Sequence, residues 1–203
     1  MAVVKLQTPI PEEEIRKLKA GDIIYISGIV YLSRDEAHLR ALEYAEEGKE
    51  LPLDFKGLAL FHCGPIVKQD EKGEWHVVAA GPTTSSRMEI FQDKYIEKFR
   101  VSVVIGKGGM FDRTAAAMKK YGAVYGAFTG GAAVLAAKAV KKVKSVEWLD
   151  LGTPEALWVF EVEEFGPLTV AIDTHGNNLF KDVAAEAEKN REKAYDIIGV
   201  SKE

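Results

Sequence analysis

The sequence predicts a single α/β domain, and three observations carry that prediction. Short apolar runs alternate with helix-like segments along most of the chain. One run, Val101-Ser102-Val103-Val104-Ile105, is short and apolar enough for a central strand buried on both faces. Several runs end in glycine or hydroxyl turns that carry a cation, the kind of strand end where α/β folds place ligands. The chain has 203 residues, enough for one sizeable core. With no internal repeat and no Ser/Pro linker, residues 1–203 read as one domain.

The elements follow in order. Pro9, Pro11 and the acidic run Glu12-Glu13-Glu14 suit the start of a helix, and Lys17 and Lys19 suit its end, which predicts a helix over Thr8 to Ala20. Asp22 to Leu32 is rich in β-branched and aromatic residues and reads as a strand, bent or bulged at Gly28. Ser33 can cap a helix whose first turn carries Asp35 and Glu36. Glu46 to Asp54 is polar and turn-like, Gly57 to Phe61 is a short strand, and Val67 to Glu74 reads as a polar turn. Trp75 to Ala80 is expected to be the return strand, leading into Gly81-Pro82-Thr83-Thr84-Ser85-Ser86-Arg87-Met88.

After Arg87 a helical segment runs through Phe91 and Tyr95 to Phe99. The strand ending at Ile105 passes into Gly106-Lys107-Gly108-Gly109, and a helix is expected over Asp112 to Tyr121, with Asp112 as cap and Gly122 as stop. Ala123 to Phe128 is a further apolar run, followed by Thr129-Gly130-Gly131 and an Ala-rich helix over Ala132 to Val143. Strands are expected at Ser145 to Leu149, Leu157 to Val162 and Leu168 to Ile172. The tail from Phe180 to Ile198 reads as an amphipathic, highly charged helix.

Composition narrows the function. A net charge of −4 argues against a general affinity for nucleic acid. No apolar run approaches the roughly 20 residues of a membrane span, and Met1 to Gln7 lacks a signal-like region, so a cytoplasmic location is expected. Cys63 is the single cysteine, which reads as a small buried residue more readily than as a nucleophile. One thiol cannot hold an iron–sulfur cluster. His38, His62, His76 and His175 show no zinc spacing. Charged residues make up 29% and Asn plus Gln number six, a balance that leans towards a thermophilic source.

Arg34, Arg87 and Lys107 each follow a strand, beside a glycine or hydroxyl turn. Meeting at one sheet edge, they would suit a small dianion, with guanidinium forks on carboxylates and the lysine as a point charge. Gly106-Lys107-Gly108-Gly109 lacks the spacing of a P-loop or a dinucleotide fingerprint. His38, four residues after Arg34, reads equally as a hydrogen-bonded core histidine or as a functional group.

Seven motifs occur together in order: Ser33-Arg34-Asp35-Glu36-Ala37-His38, His62-Cys63-Gly64-Pro65, Gly81 to Met88, Gly106 to Gly109, Tyr121-Gly122-Ala123-Val124-Tyr125, Gly130-Gly131-Ala132-Ala133, and Asp173 through Gly176-Asn177-Asn178-Leu179. This set closely resembles the β subunit, or C-terminal domain, of class I fumarate hydratases and L-tartrate dehydratases, which are iron–sulfur hydro-lyases. The resemblance implies a swivelling β/β/α domain with mixed sheets and flanking helices. It implies a cysteine-bearing α subunit that carries a [4Fe–4S] cluster, with no cofactor or metal bound by this chain. Carried over by motif, it makes Thr83 the proton-abstracting base, with Thr84 as the alternative hydroxyl. Arg34, Arg87 and Lys107 become the carboxylate-binding and charge-stabilising groups, and Asp35 and His38 possible relay members. The expected activity is reversible hydration of fumarate to L-malate, with tartrate dehydration or non-catalytic binding of a small anion as alternatives. This chain is then expected to be inactive alone and to work as a heterodimer or heterotetramer.

Overall fold

The computed structural model describes residues 1–199; residues 200–203 lie outside the described residues. Strand β1 (Val3–Gln7) pairs in parallel with β2 (Ile23–Leu32), and β2 with β3 (Ala59–Phe61). Strands β4 (Ile66–Gln69) and β5 (Trp75–Ala79) form a separate antiparallel hairpin. Strand β6 (Val103–Gly106) lies parallel between β3 and β7 (Val124–Ala127). Strands β8 (Val140–Glu147) and β9 (Leu157–Ile172) complete the set, with β9 antiparallel to β7, β8 and β2. Among the described residues seven strands form one mixed sheet in the order β1-β2-β3-β6-β7-β9-β8. The additional β2–β9 pairing closes it into a ring.

Closure explains the two-sided burial of the short strands. Ile24, Ile26, Val30, Phe61, Val103, Ile105, Trp158, Phe160 and Phe165 belong to one core cluster. The alternate residues Tyr31, Leu60, Val104, Tyr125 and Val159 belong to a second, beneath the helices. Those helices are α2 (Asp35–Glu46), α3 (Glu89–Phe99) and α4 (Asp112–Tyr121). Helix α2 links the parallel pair β2 and β3 and α4 the parallel pair β6 and β7, while α3 brings the chain from the β4–β5 hairpin back to β6, parallel to β3. A short helix α1 (Glu12–Ile15), the helix α5 (Ala133–Ala139) and a terminal helix α6 (Leu179–Ile198) complete the fold. Asn178 caps α6 by accepting from the amides of Phe180 and Lys181.

The expected α/β class, mixed sheet and flanking helices are present, with local corrections. The helix expected over Thr8 to Ala20 shrinks to Glu12–Ile15, and the strand Val3–Gln7 before it exists only because β2 offers an edge. Val67 to Gln69 is not turn but strand, and Trp75–Ala79 returns along it, not along Ala59–Phe61. The Ala-rich helix stops at Ala139, and its expected end is the start of β8, stitched to β9. The two strands expected at Leu157 to Val162 and Leu168 to Ile172 are one continuous β9. Arg34, not Ser33, is the cap residue of α2, and Phe111, not Asp112, that of α4; neither makes a side-chain cap bond.

Gly28 marks the bulge. Its φ is +98°, and the β2–β9 register shifts between Ile26 and Gly28. A Cβ there would lie 2.5 Å from Thr8 Oγ1, the atom that accepts from the Ile29 amide at 2.5 Å. Gly28→Ala is therefore expected to destabilise the chain by ~1–3 kcal/mol, read as a lower urea midpoint; an unchanged midpoint would contradict the bulge assignment.

Candidate active site

The parallel strands deliver four junctions to one end of the sheet. Strand β2 runs into Ser33-Arg34, β3 into His62-Cys63, β6 into Lys107 and β7 into Phe128-Thr129. The stretch after β5 is drawn across these ends. Cys63 and Pro82 form an isolated bridge, and the Thr83 amide donates to the His62 carbonyl at 2.6 Å. Thr84 and Lys107 then pair as parallel neighbours. The Lys107 amide donates to the Thr83 carbonyl at 3.3 Å, and the Ser85 amide to the Lys107 carbonyl at 2.9 Å. A 3-10 turn over Ser85–Met88 follows and leads directly into α3. Thr83, Thr84 and Lys107 are thus fixed side by side through backbone bonds.

The arginines join this ladder through carboxylates. Arg87 donates to Asp35 Oδ2 at 2.9 Å, and Arg34 lies 4.0 Å from the same oxygen. Arg34 also pairs with Glu155 at 3.1 Å. Both side chains of that pair are about four-fifths covered, so it is less screened than a surface ion pair. Glu155 accepts from the Glu36 amide as well, which ties the connection before β9 to the start of α2. Gly64 gives Arg34 its room: a Cβ there would lie 2.8 Å from Nη1. No ion pair involves Lys107 among the described residues. Its aliphatic stem runs past Gly130, where a Cβ would lie 3.6 Å from Cδ.

Beneath the surface lies a buried polar layer. His62 sits between Ser85 Oγ, 2.8 Å from Nδ1, and Gln92 Oε1, 2.9 Å from Nε2. Tyr125 donates its hydroxyl to Ser85 Oγ at 3.0 Å. His38 Nδ1 meets the Arg34 carbonyl at 2.9 Å and Ser33 Oγ at 2.8 Å, with its ring centroid 4.3 Å from that of Tyr95. Burial pushes the His38 pKa down to about 4, against opposing contributions from the Arg34 carbonyl and Gln92. His62 falls well below its ordinary value, first from burial and then from the neighbouring His38. Both imidazoles are therefore neutral at pH 7.

The family model described as "Fumarase C-terminus" matches residues 1–183. The chain belongs to this family. It is 45% identical over 177 residues to "L(+)-tartrate dehydratase subunit beta" of Escherichia coli (strain K12), covering 87% of this chain and 86% of that one. It is 42% identical over 190 residues to "Putative L(+)-tartrate dehydratase subunit beta" of Methanocaldococcus jannaschii, covering 93% and 95%. A third relative, "Putative fumarate hydratase class I" of Geobacillus stearothermophilus, is 43% identical over 181 residues, which are 89% of this chain but 34% of that protein.

Of the residues singled out in the sequence, Arg34, Asp35, Thr83, Thr84, Arg87 and Lys107 meet at one sheet end, while His38 does not share their exposure. It is fully buried below them, so its contact with the site runs through the Arg34 backbone. Glu155, Ser85, Gln92 and Tyr125 were missed. Glu155 lies far from Arg34 in sequence, Gln92 lies outside every motif, and Ser85 and Tyr125 stood inside motifs with no role assigned to them. His62 stood inside a motif, but its two side-chain partners come from separate elements. Cys63 does not fit a metal or cluster ligand. It is buried, and burial pushes its thiol pKa up, only partly opposed by Arg34. Asp70, Glu74 and His76 cluster at the β4–β5 hairpin, all exposed, with Asp70 already bonded to His76 and to the amides of its own turn.

Two measurements test these environments. A neutral buried histidine binds fewer protons than its unfolded counterpart below pH ~6.5, so its stabilisation is complete above that pH and is lost as pH falls. For His38 the loss runs from about 6.5 towards about 4 and reaches ~3 kcal/mol at its limit. Asp22 and Asp173, whose pKa values are lowered from 3.8, lose stabilisation only at still lower pH. Urea midpoints are expected to fall between pH 7 and pH 5; a flat profile would contradict neutral buried imidazoles. Cys63 in the native chain at pH 8 is expected to react with an aromatic disulfide reagent on the order of 100-fold more slowly than in the unfolded chain. Equal rates would contradict its burial.

Proposed function

We propose that this chain is the β subunit of a two-chain hydro-lyase acting on a four-carbon dicarboxylate, supplying a cationic half-site and a hydroxyl base. One observation carries the reading: Arg34, Arg87 and Lys107 meet Thr83 and Thr84 at a single sheet end. Abstracting a proton beside a carboxylate moves the carbon–hydrogen electron pair towards that carboxylate. Preplaced cations stabilise the charge that builds there, each by about 2.7–4 kcal/mol by analogy with oxyanion donors. Arg34 and Arg87, held by Glu155 and Asp35, suit carboxylate forks. Lys107, with its ammonium unpaired among the described residues, suits the developing charge.

Thr83 is the better-held base. Its amide and carbonyl are both engaged, by His62 and Lys107, and the residue is partly buried, whereas Thr84 is exposed. A threonine hydroxyl is a weak acid, and Arg87, four residues on, supplies positive charge nearby. The α subunit of the proposal carries the [4Fe–4S] cluster, which supplies Lewis-acid assistance to the leaving hydroxyl; Cys63 of this chain is not a ligand to it. The cytoplasmic location belongs to the same reading, and no helix among the described residues is long and apolar enough to cross a membrane.

Fumarate and L-malate are the first substrate pair. A second reading, L(+)-tartrate to oxaloacetate, is favoured by the names of the Escherichia coli and Methanocaldococcus jannaschii relatives, which match over 86% and 95% of their lengths. Anaerobic co-expression with a cysteine-bearing α chain is expected to yield a heterodimer or heterotetramer that turns over one of these substrates. Assays with fumarate, L-malate and both tartrate enantiomers separate the readings. Dicarboxylate binding without turnover would favour a non-catalytic anion-binding module, and turnover by this chain alone without iron would contradict the two-chain reading. In the active complex, Thr83→Ala and Arg87→Ala are each expected to lower kcat on the order of 10²–10³-fold with little change in melting temperature. Unchanged turnover in both removes the site assignment.

A further inference from the structure

We propose that Gln92 is a positioning residue that joins the two halves of the cationic site by holding His62 and His38 in opposite tautomers. The proposal builds on the hydro-lyase reading of that site. The Arg34 carbonyl can only accept. It lies 2.9 Å from His38 Nδ1, so that nitrogen carries the proton, the Ser33 Oγ 2.8 Å away accepts beside it, and His38 Nε2 is left with a lone pair. His38 Nε2 and Gln92 Nε2 are both buried without a hydrogen-bond partner, and the His38 ring lies beside the His62 ring that Gln92 bonds, with centroids 5.3 Å apart. The amide that faces a lone pair must be the NH2 group. Gln92 Oε1 then faces His62 and accepts from Nε2–H at 2.9 Å. His62 Nδ1 in turn accepts from the Ser85 hydroxyl at 2.8 Å, and Ser85 Oγ accepts from Tyr125 at 3.0 Å.

With the proposed Gln92-to-His38 bond, every donor points the same way, from Tyr125 through Ser85, His62, Gln92 and His38 to the Arg34 carbonyl. Its ends are the two loops of the site. At one end, Ser85 adjoins Thr83 and Thr84 and pairs by its amide with Lys107, while the His62 carbonyl holds the Thr83 amide. At the other, Arg34 and Asp35 begin α2. Gln92 lies on α3, one and a half turns beyond Arg87, and faces both loops from below. Glutamine suits this place because it presents one donor and one acceptor without charge. Glutamate would present acceptors to both rings and require a proton on His38 Nε2. Leucine would leave a nitrogen of each ring without a partner and uncouple the loops.

Long-range 15N NMR of the imidazoles in the full chain tests this without any assay. In the wild type at pH 7 the expected result is His62 protonated on Nε2 and His38 on Nδ1. In Gln92→Glu, His62 is expected to keep its tautomer and His38 to gain a proton on Nε2. The same tautomer on both wild-type rings, or an unaltered His38 in Gln92→Glu, would overturn the proposal. In an active complex, Gln92→Leu is expected to lower kcat/KM on the order of 100-fold, and an unchanged kcat/KM would also overturn it. A folded complex with no turnover of any dicarboxylate would sink the functional reading alone, because the NMR result stands or falls independently.

Discussion

The backbone pairing of Thr83 to Ser85 with Lys107 is the constraint on which the site depends. Strand β6 stops at Gly106, but its hydrogen-bonding edge continues for one residue, and the crossing segment takes up the bonds left open there. Pro82 cannot donate, and it stands at the bridge to Cys63 where no ladder donor is needed. Backbone bonds of this kind leave the Thr83 and Thr84 hydroxyls and the Lys107 ammonium without a partner among the described residues, because none of those three groups is spent in holding the loop. Gly106 completes the fit: a Cβ there would collide with Ser85 Oγ, the atom through which the loop reaches the buried layer.

Charge is distributed unevenly over this frame. The two arginines are held by Asp35 and Glu155, whereas Lys107 has no ion pair among the described residues and packs its stem beside Gly130. Carboxylates that fix an arginine reduce the net field but remove rotamer freedom before a ligand arrives, which lowers the cost of ordering on binding. Half-covered ion pairs do this better than exposed ones, since water competes less for the guanidinium. The layer below is polar and uncharged. His62 and His38 are kept neutral by burial, so the loops are held by directional bonds and not by a second set of charges that would compete with those above.

Much of this was legible along the chain. Arg34, Arg87 and Lys107 stood out because each follows an apolar run at a glycine or hydroxyl turn, and strand ends are where parallel sheets gather their loops. Gly28 marked its own bulge, since a positive φ inside a β-branched run calls for glycine. Gly122 likewise stopped α4 in the left-handed conformation. What misled the reading was local pattern without its partner. Val140–Glu147 carries an Ala-rich approach and clustered lysines that suit a helix end, yet β9 was waiting beside it. Val3–Gln7 has too little pattern to announce a strand until β2 supplies the edge. Glu155 and Gln92 were invisible as site residues because their importance lies wholly in what they face.

The residues alone settled the class of fold, the places where cations meet turns and the absence of a cysteine set for a cluster, because period, turn chemistry and composition are properties of neighbours in sequence. Ring closure by β2 and β9, the Asp35 and Glu155 anchors and the histidine layer were decided only in three dimensions. The physical reason is that each joins groups from separate elements. Hydrogen bonds and ion pairs act over a few ångströms, and no spacing along a chain specifies which distant groups the packed core will bring that close.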